Sequence, residues 1–401
     1  MNKIINYIIP INLVLDVLLI VTKNVAYLKA ALMTVLLAYL MINYLGKHKA
    51  YSWVFIFGFY ALTISLISTD LVASFLNTLK IIIPIFTILI GFHFFNTKEK
   101  IKYLAKSMKY VLLIVIINLV LSTFFGLGSS RYTEEGEEET FYMGQLSDHW
   151  NMFTYAILSV PVLMHFETRK GKVYVATLAF LNAILILLSI KRIALAGLLG
   201  GGIINAYLTL KTKVILKFTL IGAIIMVLSY PIYGSMLNER FEARADRFEE
   251  GSMEKESRYL ETFYVWGDAF NFKTLDKSLF GMEAFNSAGT YAGGIFGDRQ
   301  LHVDYNNILN TIGIAGLLIY FIMFIQIWRS FKKSLKGLVI EDKFSKTMKS
   351  IFYSFFIMQF ITSVAGQMYN ITFRMIVFIF LGAAMGYFSQ LKKQQFESNN
   401  H

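Results

Sequence analysis

His302 and a set of arginines are the residues of this chain whose types and spacing could do chemistry, and that chemistry is proton transfer beside a bound anion. His302 stands where a polar segment of 68 residues, Ser235 to His302, gives way to the apolar run LHVDYNNILNTIGIAGLLIYF. Asp304 and Asn306 follow it in the first turn of a predicted helix. A helix start carries partial positive charge, which favours a neutral imidazole, and a neutral ring beside a hydroxyl can take its proton as a general base. The alternative role for a histidine at this position is a helix cap or an interface residue. Arg240, Arg244, Arg247, Arg258 and Trp266 lie in the same polar segment, and a guanidinium fork suits bidentate recognition of phosphate or carboxylate.

The elements that must hold these residues are membrane spans. Hydrophobic residues make up 56% of the 401 positions and charged residues only 16%, which excludes an ordinary soluble domain. A crossing helix needs roughly 20 mainly apolar residues. Twelve stretches are predicted to qualify: Ile4 to Val21, Ala26 to Leu45, Tyr51 to Ser68, Val72 to Phe95, Ser107 to Leu127, His149 to Phe166, Val173 to Ile190, Ile193 to Leu210, Val214 to Gly234, Val303 to Trp328, Thr347 to Ala365 and Ile371 to Gln390. The expected fold is an all-α polytopic integral membrane protein, with spans one to nine in 1–234, a large loop with amphipathic helices in 235–302, spans ten to twelve in 303–390 and a tail in 391–401. The first span is longer than the apolar core of a cleavable signal and lacks a small-residue cleavage site, so it is kept as a span.

Lysine and arginine placement orients the bundle, because short translocated loops are poor in both. With the N-terminus inside, the inner side holds 23 basic and 5 acidic residues, against 15 and 21 on the outer side. Both termini are then cytoplasmic and His302 faces outward. The net charge of +12 sits in inner loops beside anionic lipid, so it does not call for a nucleic-acid partner. Eight of the ten arginines fall on the outer side or near the outer end of a span: Arg131, Arg192, Arg240, Arg244, Arg247, Arg258, Arg299 and Arg374. Inner basic residues are lysines apart from Arg169 and Arg329. The outer face is therefore suited to anion recognition, unless these arginines are spent in solvated pairs with the outer acids.

Several segments carry a local signal. Glu134, Glu135, Glu137, Glu138 and Glu139 form an acidic run with nothing at metal-ligand spacing, which reads as a solvated loop with no metal site. Arg131 lies beside them, close to the membrane, as a candidate for an anionic headgroup. Lys191 and Arg192 occupy a short turn followed by Ala194, Ala196, Gly197 and Gly200, small residues that permit close helix packing. They either meet lipid phosphate or snorkel as anchors. Lys80 and Arg374 lie toward the outer ends of their spans, where ionisable groups are functional candidates. Leu237, Phe241, Ala245 and Phe248 form an apolar stripe beside Arg240, Arg244 and Arg247, the pattern of a surface helix. The chain has no cysteine, and no HExxH, P-loop, GxSxG or Gly-rich dinucleotide fingerprint.

Three segments carry a family resemblance: SIKRIALAGLL, SRYLETFYVWGDAF followed by SLFGMEAF, and HVDYNNILNTIGIAGLLIYF. They resemble, in order and spacing, the arginine-led helix start, the Arg-Trp loop with its glycine turn, and the histidine-led return to the membrane of the O-antigen polymerase and O-antigen ligase superfamily. That likeness implies a GT-C-like membrane glycosyltransferase without cofactor or metal. It implies that Arg192 and Arg258 hold the undecaprenyl diphosphate of a lipid-linked oligosaccharide donor, with Lys191, Arg131, Arg240, Arg244 and Arg374 as further candidates. His302 would activate the acceptor hydroxyl, with inversion at the anomeric carbon. Val303 and Asp304 replace the asparagine that commonly follows the histidine, which makes Asp304 the substitute base, and Ser278-Leu279-Phe280 lacks the usual proline. The implied activity is a surface-polysaccharide polymerase of the bacterial cytoplasmic membrane, working beside a flippase and a chain-length regulator. Alternatives are a ligase that moves glycan onto lipid A core in lipopolysaccharide assembly, or a flippase for the lipid-linked oligosaccharide.

Overall fold

The computed structural model describes residues 2–19, 24–127, 143–146, 149–189, 191–211, 257–272, 274–295, 299–340, 342–366 and 368–398, with isolated positions 22, 213, 227, 230, 234 and 297. All regular structure among them is helical. In chain order the helices are α1 (Asn2–Asn6), α2 (Ile8–Leu18), α3 (Asn24–Tyr44), α4 (Ser52–Leu66), α5 (Leu71–Phe86), α6 (Ile88–Phe94), α7 (Lys98–Phe125), α8 (Trp150–Leu158) and α9 (Val160–Met164). They continue with α10 (Arg169–Ser189), α11 (Arg192–Thr209), α12 (Ser257–Phe270), α13 (Leu275–Phe280), α14 (Asp304–Leu335), α15 (Lys343–Ala365) and α16 (Ile371–Ser398).

Among the described residues, eight helical runs are long and apolar enough to cross a bilayer, built on α3, α4, α5 with α6, α7, α10, α11, α14 and α16. The chain is a polytopic helical membrane protein. α2 and the pair α8 and α9 are shorter apolar helices. α15 has the length of a span, but Ser350, Ser354, Gln359 and Thr362 make it more polar, and all four are buried. Most of the predicted ninth span and the predicted surface helix with Arg240 and Arg244 lie outside the described residues, as does Arg131.

α16 is the axis of the bundle, buried without a break from Thr372 to Phe388. Close backbone contact holds it to α6. A Cβ added at Gly382 would stand 2.1 Å from the Ile88 carbonyl oxygen, one at Gly386 2.3 Å from that of Phe92, and one at Gly91 2.1 Å from that of Ile379. Two glycines four residues apart bring membrane helices into van der Waals contact that no side chain would allow. The small residues of α11 do the same work on a second seam, with Gly200 against Met358 and Gly201 against Leu158 and Ser354.

Polar caps and breaks shape the ends. Asp70 caps α5 by accepting from the Ala73 amide at 3.0 Å, and Asp342 caps α15 through Ser345 at 2.9 Å. α14 bends at Ile312 and Gly313, where Gly313 takes a φ of 71°. Tyr60 Oη donates to the Ile312 carbonyl at 2.9 Å, satisfying an acceptor that the bend removes from the helix ladder. The bend lets the end of α13 come in. A Cβ on Gly281 would meet the Thr311 oxygen at 2.2 Å and one on Gly313 the Leu279 oxygen at 2.3 Å.

The segment before α14 docks on the bundle without a covalent tie. Glu283 accepts from the Thr69 and Asp70 amides at 2.8 and 3.2 Å and from Ser74 Oγ at 3.1 Å. Burial alone would raise its carboxyl, but these donors outweigh burial and hold it below the ordinary glutamate range. Asn77 Nδ2 and Tyr369 Oη both donate to the Phe285 carbonyl, at 3.1 and 2.7 Å, so α5 and the turn before α16 grip the same residue.

Candidate functional site

His302 is positioned from three sides. Its side chain is 40% exposed, while Glu261 on α12, with no exposure at all, places Oε1 3.3 Å from His302 Nδ1. Glu261 Oε2 accepts from the His302 amide at 3.4 Å, so one carboxylate holds both ring and backbone. On the far side a Cβ added at Gly366 would lie 1.6 Å from the His302 carbonyl oxygen. Gly366 ends α15 with a φ of 90°, a conformation that glycine adopts without strain.

Glu261 is the electrostatic centre of this arrangement. Burial pushes its carboxyl up, but the hydrogen bonds and charge of His302 and the guanidinium of Arg299 outweigh burial and keep it below the ordinary range. Arg299 Nη2 pairs with the same oxygen that faces His302. An ionised carboxylate at Nδ1 fixes the proton there and leaves Nε2 as the acceptor, the tautomer a general base needs.

α12 is clamped to the start of α14 by Asn306, which accepts from Trp266 Nε1 at 3.0 Å and donates to Thr262 Oγ1 at 2.7 Å. Arg258 stands exposed one turn before Glu261 on the same helix. Arg192 is exposed at the start of α11. The antiparallel seam of α11 on α15 pairs Asn205 with Ser350 and Gly201 with Ser354. Lys191, half-buried, precedes Arg192 as its helix N-cap.

Asp304 and Arg374 are placed differently from the surface roles considered for them. They form an ion pair with each other, with side chains only 1% and 3% exposed. The second Asp304 oxygen accepts from the Met368 amide at 3.0 Å. The pair ties the start of α14 to α16 and to the turn between α15 and α16, and both side chains are buried in the interior. A second buried network lies nearby on the α16 side. Thr372 donates to Asp16 Oδ2 at 2.5 Å, Lys29 pairs with Asp16 Oδ1, and His149 Nε2 stands 3.9 Å from the same carboxylate. Lys80 is exposed, with Nζ 3.4 Å from Asn77 Oδ1.

Glu261 and Gly366 contact His302, and neither was singled out by motif reading. The signal for Glu261 was present: it begins the buried face that continues with Val265 and Ala269, at i, i+4 and i+8. A carboxylate on an apolar stripe requires a partner. Gly366 carries no comparable local signal, because its partner lies 64 residues away, and Arg299 stood out only as one of the outer arginines, its partner lying 38 residues away.

No family model matches the chain, and no curated protein gives a significant match. The resemblance rests on the three quoted segments, two of which meet in the fold at Gly281 and Gly313.

Proposed function

We propose that this chain is a twelve-span surface-polysaccharide polymerase, transferring a growing glycan from undecaprenyl diphosphate to a lipid-linked repeat unit on the outer face of the cytoplasmic membrane. The observation that supports it is the exposed His302 ring held by buried, ionised Glu261 beside the start of a membrane-crossing helix. In the reaction His302 Nε2 takes the acceptor hydroxyl proton. The acceptor oxygen bonds to the anomeric carbon as the bond from that carbon to the diphosphate oxygen breaks, with inversion. Undecaprenyl diphosphate leaves with its negative charge, which Arg192, Arg258 and Lys191 offset by preorganised positive charge. Glu261 is a positioning residue, and the Asp304–Arg374 pair serves the stability of the bundle by tying the start of α14 to α16.

A ligase would use the same groups with lipid A core as acceptor. Proteoliposomes supplied with lipid-diphosphate repeat units separate these readings. A glycan ladder supports the polymerase, transfer only to added lipid A core supports the ligase, and movement of the lipid across the bilayer without new glycosidic bonds supports a transporter.

A further inference from the structure

α12 has a face that neither His302 nor the bundle covers. Glu261, Val265 and Ala269 are buried. To one side of them Tyr259, Phe263, Trp266 and Phe270, at i, i+4, i+7 and i+11, form an aromatic stripe whose members are 39 to 64% exposed. Scattered exposed apolar residues are ordinary, but four large aromatics in one row on a 14-residue helix mark a surface that meets something.

The height of the stripe identifies what covers it. Thr262 and Trp266 are hydrogen-bonded to Asn306, in the first turn of α14, which is itself long and apolar enough to cross a bilayer. The first turn of a crossing helix stands at the headgroup boundary, so α12 lies at that level. A second tie gives the same height. Glu283 grips the turn between α4 and α5, and exposed Phe280 and Met282 beside it continue the exposed apolar edge made by Ile67 and Leu71. Exposed Asp268 stands on the side of the helix opposite the stripe, and exposed Arg258 lies more than a quarter-turn from it, so charge and aromatic surface are segregated, the remaining mark of an interfacial helix.

We propose that α12 lies in the headgroup-to-acyl boundary of the leaflet on the His302 side, with Tyr259, Phe263, Trp266 and Phe270 seated among the acyl chains of membrane lipid. The occupant of the stripe is the hydrocarbon of the bilayer. Its consequence is that the helix carrying Glu261 is held by lipid on one face and by α14 on another, which fixes His302 at headgroup depth. The inference rests on the membrane-crossing bundle and is independent of the transferase reading.

The chain has no cysteine, so single labels can be placed without background substitutions. Phe263→Cys and Tyr259→Cys on the stripe, and Asp268→Cys off it, are spin-labelled in the full chain and reconstituted into phosphatidylcholine and phosphatidylglycerol vesicles. Power-saturation measurements then compare collision with oxygen, which concentrates in hydrocarbon, and with a water-soluble nickel chelate. Oxygen is expected to dominate at 263 and 259 and nickel at 268. Nickel dominating at both stripe positions would mean that water covers them, as on a glycan-stacking platform, and would overturn the proposal. If one stripe variant fails to fold, the other gives the answer, and no readout depends on activity.

Discussion

Replacing Gly366 with alanine tests how tightly the fold sets His302. The new Cβ would stand 1.6 Å from the His302 carbonyl oxygen, whereas ordinary contact begins near 3.4 Å, so the two backbones must separate by 1.8 Å. The Glu261 contacts at 3.3 and 3.4 Å have no room for such a movement. The φ of 90° adds backbone strain of about 1–3 kcal/mol for a residue with a side chain. A shift of this size at a reacting group costs about 100-fold in rate. Gly337→Ala separates clash from strain, since Gly337 has a φ of 84° but nothing within 4 Å of its Cβ position. The assay is glycan extension in proteoliposomes at matched folded protein. Gly366→Ala is expected to lose about 100-fold while Gly337→Ala stays near wild type. Wild-type turnover in Gly366→Ala would refute the view that this contact positions His302.

Further expectations concern the residues around that contact. Glu261→Gln should lower kcat by about 10- to 100-fold, from the loss of a charge-assisted hydrogen bond, with KM for the lipid-diphosphate donor unchanged; an equal rise in KM would instead make Glu261 a substrate ligand. Because the Glu261 carboxyl is depressed below its ordinary value of 4.5, its stabilisation is present above that pH and is lost on acidification through the lower folded value. Protection of α12 in hydrogen exchange should therefore persist at neutral pH and fall in acid, and Glu261→Gln should abolish that dependence. Asp304→Asn leaves Arg374 buried without its charge partner and should destabilise the fold by about 3–5 kcal/mol. Detergent thermal melts check the loss, and Asp304→Asn should keep its activity per folded molecule, which a catalytic base would not. Gly382→Ile should prevent folding altogether, because the α6 backbone occupies the space of the new side chain; a monodisperse variant would contradict the α16–α6 contact.

Much of the bundle was legible because crossing a membrane demands long apolar runs: α3, α4, α5 with α6, and α11 lie within two residues of the predicted stretches, whereas α7 begins nine residues before its stretch and α16 runs eight residues past its own. The interruptions were harder to read. α5 gives way to α6 just past Pro84, α8 to α9 at Ser159, and α14 bends at Gly313 through contact with Gly281, a residue 32 positions earlier. Small residues announced the α11 seam, whereas Gly382 and Gly386 were hidden in an apolar run whose hydropathy they hardly change. His302 stood out because it begins a helix after a polar segment. The pairing of Asp304 with Arg374 could not be read from spacing, since it spans 70 residues and depends on how α14 meets α16. Glu261 was the readable residue that motif comparison overlooked, a buried carboxylate that only an ion-paired site would keep.

The central claim is that His302, oriented by Glu261, is the base for glycan transfer. Its most direct test is single-turnover extension of lipid-diphosphate repeat units by reconstituted wild type and His302→Ala at matched expression, with donor binding measured separately. The account predicts a ladder from wild type and none from His302→Ala, with donor binding retained through Arg192 and Arg258. A ladder formed by His302→Ala at the wild-type rate would contradict it.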